Sequence, residues 1–213
     1  MAIEVDRIVT GRWKENCFVV SHAPSRDALI IDPGNNAEDI AIVIERKRLR
    51  PLAILNTHGH FDHIGAVSPL KDRYELPFYL HGKDLKLVQR ANFYRTVFDE
   101  PEEIEPPEVD YRFEEQEETL VFGPFSVRVV ATPGHTKGSV CFLIDDLMFT
   151  GDTLFRGKIG RTDLPGGSKR LLADTLRHVL TFPGDTVIFP GHGGTSTIGE
   201  EMEGNLPLKE VLS

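Results

Sequence analysis

The sequence predicts an α/β fold of two sheets packed face to face with helices outside, built as one domain over residues 1–213. Three observations point there. Runs of strand-like residues followed by helix-like spacing occur twice along the chain. Four of the predicted strands end at a histidine or aspartate beside glycine, so one common rim is the simplest arrangement. A length of 213 residues with 40% hydrophobic content is enough for one sizeable core.

The elements follow in order. Residues 3–9, 17–21 and 27–32 read as strands and suggest an antiparallel meander. Pro33-Gly34-Asn35 breaks that pattern, and residues 37–48 place Ile40 and Ile44 at helical spacing. The apolar run of residues 51–56 is long enough for one buried strand. A helix over 65–74, a short strand over 78–80 and a longer helix over 82–97 come next. Residues 119–122 and 125–131 begin the second run of strands, the latter with clear alternation. Residues 139–144 and 147–150 form a hairpin turned by Asp145-Asp146. Residues 169–181 are helical, and 186–189 is a last strand.

The formal net charge of -9 is local. Residues 99–118 contain eleven acidic side chains and one basic one, Arg112, leaving 22 acidic and 23 basic elsewhere. Pro101, Pro106 and Pro107 make that segment a solvated loop. No basic surface suited to nucleic acid is evident, and no apolar stretch approaches the length of a membrane span. The expectation is a cytoplasmic protein with a small-molecule partner, no nucleic acid and no membrane; nothing indicates its oligomeric state. Cys17 and Cys141 lie in separate apolar runs and are expected to be buried and reduced. With no thiolates to offer, a metal site here must use imidazole and carboxylate, which suits a catalytic divalent ion.

Thr57-His58-Gly59-His60-Phe61-Asp62-His63 places four metal-binding side chains within six residues, directly after a predicted buried strand. On an extended chain His58 and His60 point the same way and can meet at one ion. Asp62 and His63 fall where a helix opens and can face a second. The spacing HxHxDH resembles the signature of the metallo-β-lactamase superfamily, and Pro133-Gly134-His135, Gly151-Asp152 and Pro190-Gly191-His192 follow in that superfamily's order.

The resemblance implies a four-layer αββα sandwich and two divalent ions, zinc first with iron or manganese as alternatives. It implies that His58, His60 and His135 hold one ion, that Asp62, His63 and His192 hold the other, and that Asp152 bridges them. Asp62 and Asp152 are its catalytic carboxylates. Asp32 matches an early aspartate that supports the histidine loop without binding metal. His22, His81 and His178 have no such context and read as surface or local structural residues.

Within the superfamily, Thr150-Gly151-Asp152-Thr153-Leu154-Phe155 with Gly160-Arg161 is similar to the glyoxalase II-like hydrolases, in a short form lacking a C-terminal helical region that grips glutathione. Arg161 falls on a basic residue that contacts glutathione in the long form, and Asp163 falls where that form has tyrosine. A salt bridge between Arg161 and Asp163 is the alternative for that arginine. The activity implied is thioester hydrolysis, S-lactoylglutathione to lactate and glutathione, through a metal-bridging hydroxide. A thiolate leaves readily, so no separate general acid is required. The alternatives are a mononuclear iron persulfide dioxygenase, against which Phe61 in place of that group's usual alanine argues, a nuclease, and a non-catalytic metal-binding protein.

Overall fold

A computed structural model of the chain describes residues 2–100, 102–114 and 117–212. The chain divides into two compact units, Met1–Glu114 with Val121–Phe125, and Glu115–Leu120 with Ser126–Ser213.

The first unit opens with β1 (Ile3–Thr10), β2 (Glu15–His22) and β3 (Asp27–Ile31), an antiparallel meander in which Val5 faces Val20 and Val19 faces Ile30. After α1 (Ala37–Arg46) comes β4 (Arg50–Leu55), parallel to β3. Then follow α2 (Phe61–Ile64), α3 (Val67–Tyr74) and β5 (Phe78–His81), parallel to β4. A 3₁₀ turn at Gly82–Asp84 leads into α4 (Leu85–Gln89) and α5 (Ala91–Val97), and β6 (Tyr111–Phe113) adds parallel to β5. The sheet order is β1-β2-β3-β4-β5-β6. Alternate residues Cys17, Val19, Ala28, Ile30 and Ile54 pack with Ile40 and Ile44 of α1 and Val67 and Leu70 of α3.

The expected single helix over 82–97 is broken. Arg90 leaves helical geometry at φ -106°, ψ 14° between α4 and α5, and Asn92 ties α5 to the acidic segment, its Nδ2 donating to Ile104 O and its Oδ1 accepting from Ile104 N, both at 2.9 Å. Tertiary contact overrides the helical spacing here. The same segment includes β6, which three residues of periodicity could not reveal.

The second unit contains most of β7 (Glu117–Phe122) and β8 (Phe125–Ala131), whose residues within Val121–Phe125 count with the first unit, and all of β9 (Val140–Ile144) and β10 (Leu147–Gly151), with Asp145 at φ 55° turning the expected hairpin. A small hairpin, β11 (Leu154–Phe155) and β12 (Lys158–Ile159), precedes α6 (Lys169–Val179), β13 (Val187–Pro190), β14 (Ser196–Thr197), α7 (Ile198–Gly204) and α8 (Leu206–Leu212). The sheet order is β14-β13-β10-β9-β8-β7, with β13 parallel to β10 and the β8–β9, β9–β10 and β13–β14 pairs antiparallel. Val130, Cys141, Met148 and Ile188 meet Leu172, Leu176 and Val179 of α6. Both cysteines are free and buried, as expected.

The sequence expectations omit β11, β12, β14, α7 and α8. The buried carboxylate of Glu201 accepts from Gly157 N and Asn205 Nδ2, both at 2.7 Å, which ties α7 to the β11–β12 hairpin. Among the described residues no helix is long and apolar enough to cross a membrane.

Candidate metal centre

In the first unit, β4 stops at Leu55, short of the histidines, so strand alternation does not bring His58 and His60 together. Backbone anchors do. Asn56 N donates to Tyr79 O at 3.0 Å, Asn56 Nδ2 to His63 O at 2.7 Å, and Gly59 N to the buried Asp84 carboxylate at 3.0 Å. The loop so pinned holds His58 Nε2 3.1 Å from His60 Nδ1. Asp62 and His63 lie on the single turn of α2, both buried, with His63 Nε2 3.9 Å from Asp62 Oδ2.

Asp32 organises this loop. Its Oδ1 accepts from Thr57 N at 2.7 Å, and its Oδ2 accepts from Thr57 Oγ1 at 2.6 Å and lies 3.2 Å from His63 Nδ1. A carboxylate can only accept, so the Thr57 hydroxyl proton goes to Asp32, and Thr57 Oγ1 receives the Nδ1 proton of His58 at 3.1 Å. Both His58 and His63 are thereby protonated on Nδ1, which presents Nε2 as the donor atom for a cation. Asp32, His58 and His63 together offer ligand atoms within 4.8 Å of one another, but the Asp32 oxygens are engaged by the protein.

In the second unit, His135 follows a tight turn whose Gly134 has φ 149° and whose added Cβ would lie 2.4 Å from Leu172 Cα, so only glycine fits against α6. Thr175 Oγ1 on α6 donates to Pro133 O at 2.7 Å, and Ser168 N to Gly134 O at 2.8 Å. His135 Nδ1 donates to Arg161 O at 2.8 Å, so this imidazole also presents Nε2. Asp152 follows β10, and Gly191 N bonds Gly151 O at 2.8 Å, which brings the His192 turn alongside. His135 Nε2 and His192 Nε2 stand 3.5 and 3.7 Å from the same oxygen, Asp152 Oδ2. Both distances exceed a hydrogen bond. Neighbouring ligand atoms on a four-coordinate ion with bonds of about 2.0–2.1 Å lie roughly 3.3–3.4 Å apart, so the donor set fits a divalent cation.

Arg161 forms the salt bridge. Its Nε and one terminal nitrogen donate to the two Asp163 oxygens, both at 2.8 Å, and this holds the Asp163 carboxyl down to about 2. His22, His81 and His178 each bond a protein group. His22 bonds Ser25 Oγ, His178 bonds Glu117, and buried His81 accepts from Lys83 N at the start of the 3₁₀ turn.

Glu15 was not singled out in the sequence. It is fully buried, accepts from Thr10 Oγ1 at 2.7 Å, and places Oε1 3.9 Å from His63 Nδ1. Burial pushes its carboxyl well above the usual range, offset in part by His63. The available signal was a glutamate opening a strand whose centre, Cys17 to Val20, is apolar. Asp84, which fixes Gly59, gave no signal beyond its acidity.

Residues 10–192 match the protein family described as the Metallo-beta-lactamase superfamily. Hydroxyacylglutathione hydrolase GloC of Haemophilus influenzae is 33% identical over 207 residues, covering 95% of this chain and 97% of that one. Among solved structures, BLEG-1 B3 metallo-beta-lactamase superposes with a TM-score of 0.89 at 37% identity, covering 96% of this chain and 99% of that one. TTHA1623 in a di-iron-bound form superposes with a TM-score of 0.86 at 36% identity, covering 94% and 98%.

Proposed function

The chain belongs to the metallo-β-lactamase superfamily, a fold of two mixed sheets with helices, and from that membership we propose a dinuclear metal-dependent hydrolase acting on S-acylglutathione-type thioesters. In this reading residues 1–213 act as one cytoplasmic domain on a small-molecule substrate. His58, His60 and His135 would hold one divalent ion and Asp62, His63 and His192 the other, with Asp152 as the carboxylate that would serve both. Zinc is the first choice, and the di-iron form of TTHA1623 supports iron as an alternative. The bound ions supply an activated water at neutral pH and polarise the acyl oxygen.

The observation that carries the reading is the proton assignment at the imidazoles. Asp32 fixes His63 directly and His58 through Thr57, and the Arg161 carbonyl fixes His135. Donor atoms held this way require no rearrangement to receive a cation. Thioester chemistry suits the site because a thiol of pKa near 8.5 departs as thiolate without a proton donor. The likeness to GloC supports the same class. Arg161 remains the proposed contact for an anionic substrate group. Its existing bidentate partner means that binding exchanges one carboxylate for another, so its contribution is small.

Thiol release from S-lactoylglutathione by protein loaded with zinc, iron or manganese tests the proposal, and hydrolysis with at least one metal is expected. No release under any metal, with oxygen consumed on glutathione persulfide under iron, would assign a dioxygenase instead. Cleavage of a β-lactam alone would assign the activity named for BLEG-1.

A further inference from the structure

We infer that Trp13, Phe61 and Phe98 form a wall that receives an apolar acyl group of the substrate, which rests on the hydrolase reading above and narrows its substrate class. Phe61 stands between His60 and Asp62 in the chain, so the residue belongs to the proposed metal loop, and its ring packs at the edge of the core beneath it. Trp13, in the turn between β1 and β2, meets that ring edge-on at 6.1 Å, and Phe98, just beyond α5, stacks on it at 5.6 Å. Trp13 and Phe98 are themselves edge-on at 5.6 Å. Phe61 is 7% exposed, whereas Trp13 is 41% exposed.

A tryptophan that exposed is not held by burial. Its indole Nε1 donates to Glu100 Oε1 at 2.7 Å, and the other Glu100 oxygen lies 3.7 Å from the buried Arg95 guanidinium. Arg12, its neighbour in the turn, donates to Asp99 O at 2.9 Å. The turn is therefore fastened to the start of the acidic segment by two bonds. Because Glu100 occupies the only polar atom of the indole, the surface Trp13 presents is hydrocarbon. A large apolar ring fixed by a hydrogen bond and packed against a residue of the proposed metal loop is a preorganised contact, where binding forgoes the cost of ordering the side chain. The Glu100 carboxylate at the indole edge disfavours an anionic group at the same place. The occupant that matches is an uncharged, apolar acyl chain or ring, and this gives the acidic segment a part in substrate selection.

Trp13 is the single tryptophan of the chain, so its fluorescence reports on this wall alone. The test uses acetyl, butyryl and hexanoyl thioesters of N-acetylcysteamine, which vary the acyl group against one neutral thiol. For the wild type, kcat/KM should rise about threefold to fourfold per methylene that reaches the wall, mainly through KM. Trp13→Ala should lower the hexanoyl value about tenfold and the acetyl value much less, and Trp13→Phe should restore most of the difference. Titration of wild-type protein with the non-hydrolysable S-hexyl thioether should shift Trp13 emission saturably. A flat acyl dependence in the wild type, or an equal loss for all three esters in Trp13→Ala, would overturn the wall. If the wild type hydrolyses no thioester, the hydrolase reading fails, and the fluorescence titration still decides: a saturable shift upholds the apolar site, and its absence overturns it.

Discussion

Replacing Asp32 by asparagine separates metal affinity from folding. Asparagine tolerates the left-handed backbone that Asp32 adopts, φ 48°, and keeps an oxygen for Thr57 N. Its amide NH₂ would face His63 Nδ1, which must then accept and carry its proton on Nε2, the atom proposed to bind metal. A wrong tautomer of this kind costs about 10–100-fold in metal affinity, equivalent to about 1.4–2.7 kcal/mol. Asp32→Ala adds a stability loss. Thr57 N, Thr57 Oγ1 and His63 Nδ1 lose their acceptor in a buried place at about 1–3 kcal/mol each, and alanine at a left-handed φ costs about 1–2 kcal/mol more. Zinc affinity by chelator competition and stability by urea unfolding should therefore split the two variants, with Asn impaired mainly in affinity and Ala in both. Unchanged affinity in Asp32→Asn would refute the tautomer argument. Complete loss of metal there, with folding intact, would make Asp32 a ligand itself.

Asp152→Asn should remove most activity and lower metal occupancy, because one amide cannot replace a carboxylate oxygen that faces two imidazoles, while His178→Ala should do neither; equal losses in the two would refute the sorting of the histidines. Gly160→Ala should destabilise by about 1–3 kcal/mol or more and disturb metal binding, since its Cβ would lie 2.0 Å from Asp152 O and 3.3 Å from His135 Cβ. Gly204→Ala, with nothing within 4 Å of the new Cβ, is the control and should be neutral or stabilising in urea melts. Burial and, to a lesser degree, Lys83 hold the His81 pKa below its ordinary 6.5, and His81 Nδ1 must stay unprotonated to accept from Lys83 N. The folded value is the lower one, so the stabilisation is complete above about 6.5 and is lost as pH falls through the folded value. The stability difference between wild type and His81→Gln should shrink from pH 8 to pH 5, and a constant or growing difference would contradict it.

Features that depend on local chemistry were legible in the sequence. The buried runs of β3 and β4, the Asp145-Asp146 turn and the glycine before His135 each have a cause within a few residues. The position of Asp32 also followed from its motif, because the aspartate and the histidine loop end neighbouring parallel strands. What escaped depends on distant partners. The break between α4 and α5 rests on Asn92 meeting Ile104, and β6 exists only through pairing with β5. Thr197 capping Glu200 N was a readable start for α7, but the buried Glu201 that ties this helix to Gly157 could not be told from a surface acid. Glu15 escaped for the same reason, since nothing local reveals that Thr10 and His63 enclose it. The convergence of His58 and His60 was expected from strand geometry, whereas a loop pinned through Asp84 produces it.

The seven side chains proposed as ligands, from His58 to His192, are expected to bind a pair of ions. Elemental analysis of the purified protein, expressed with zinc, iron and manganese all available, tests this most directly. Two equivalents of divalent metal per chain are expected, falling in Asp152→Asn; one equivalent of iron alone, or none of any metal, would rule out the ion pair.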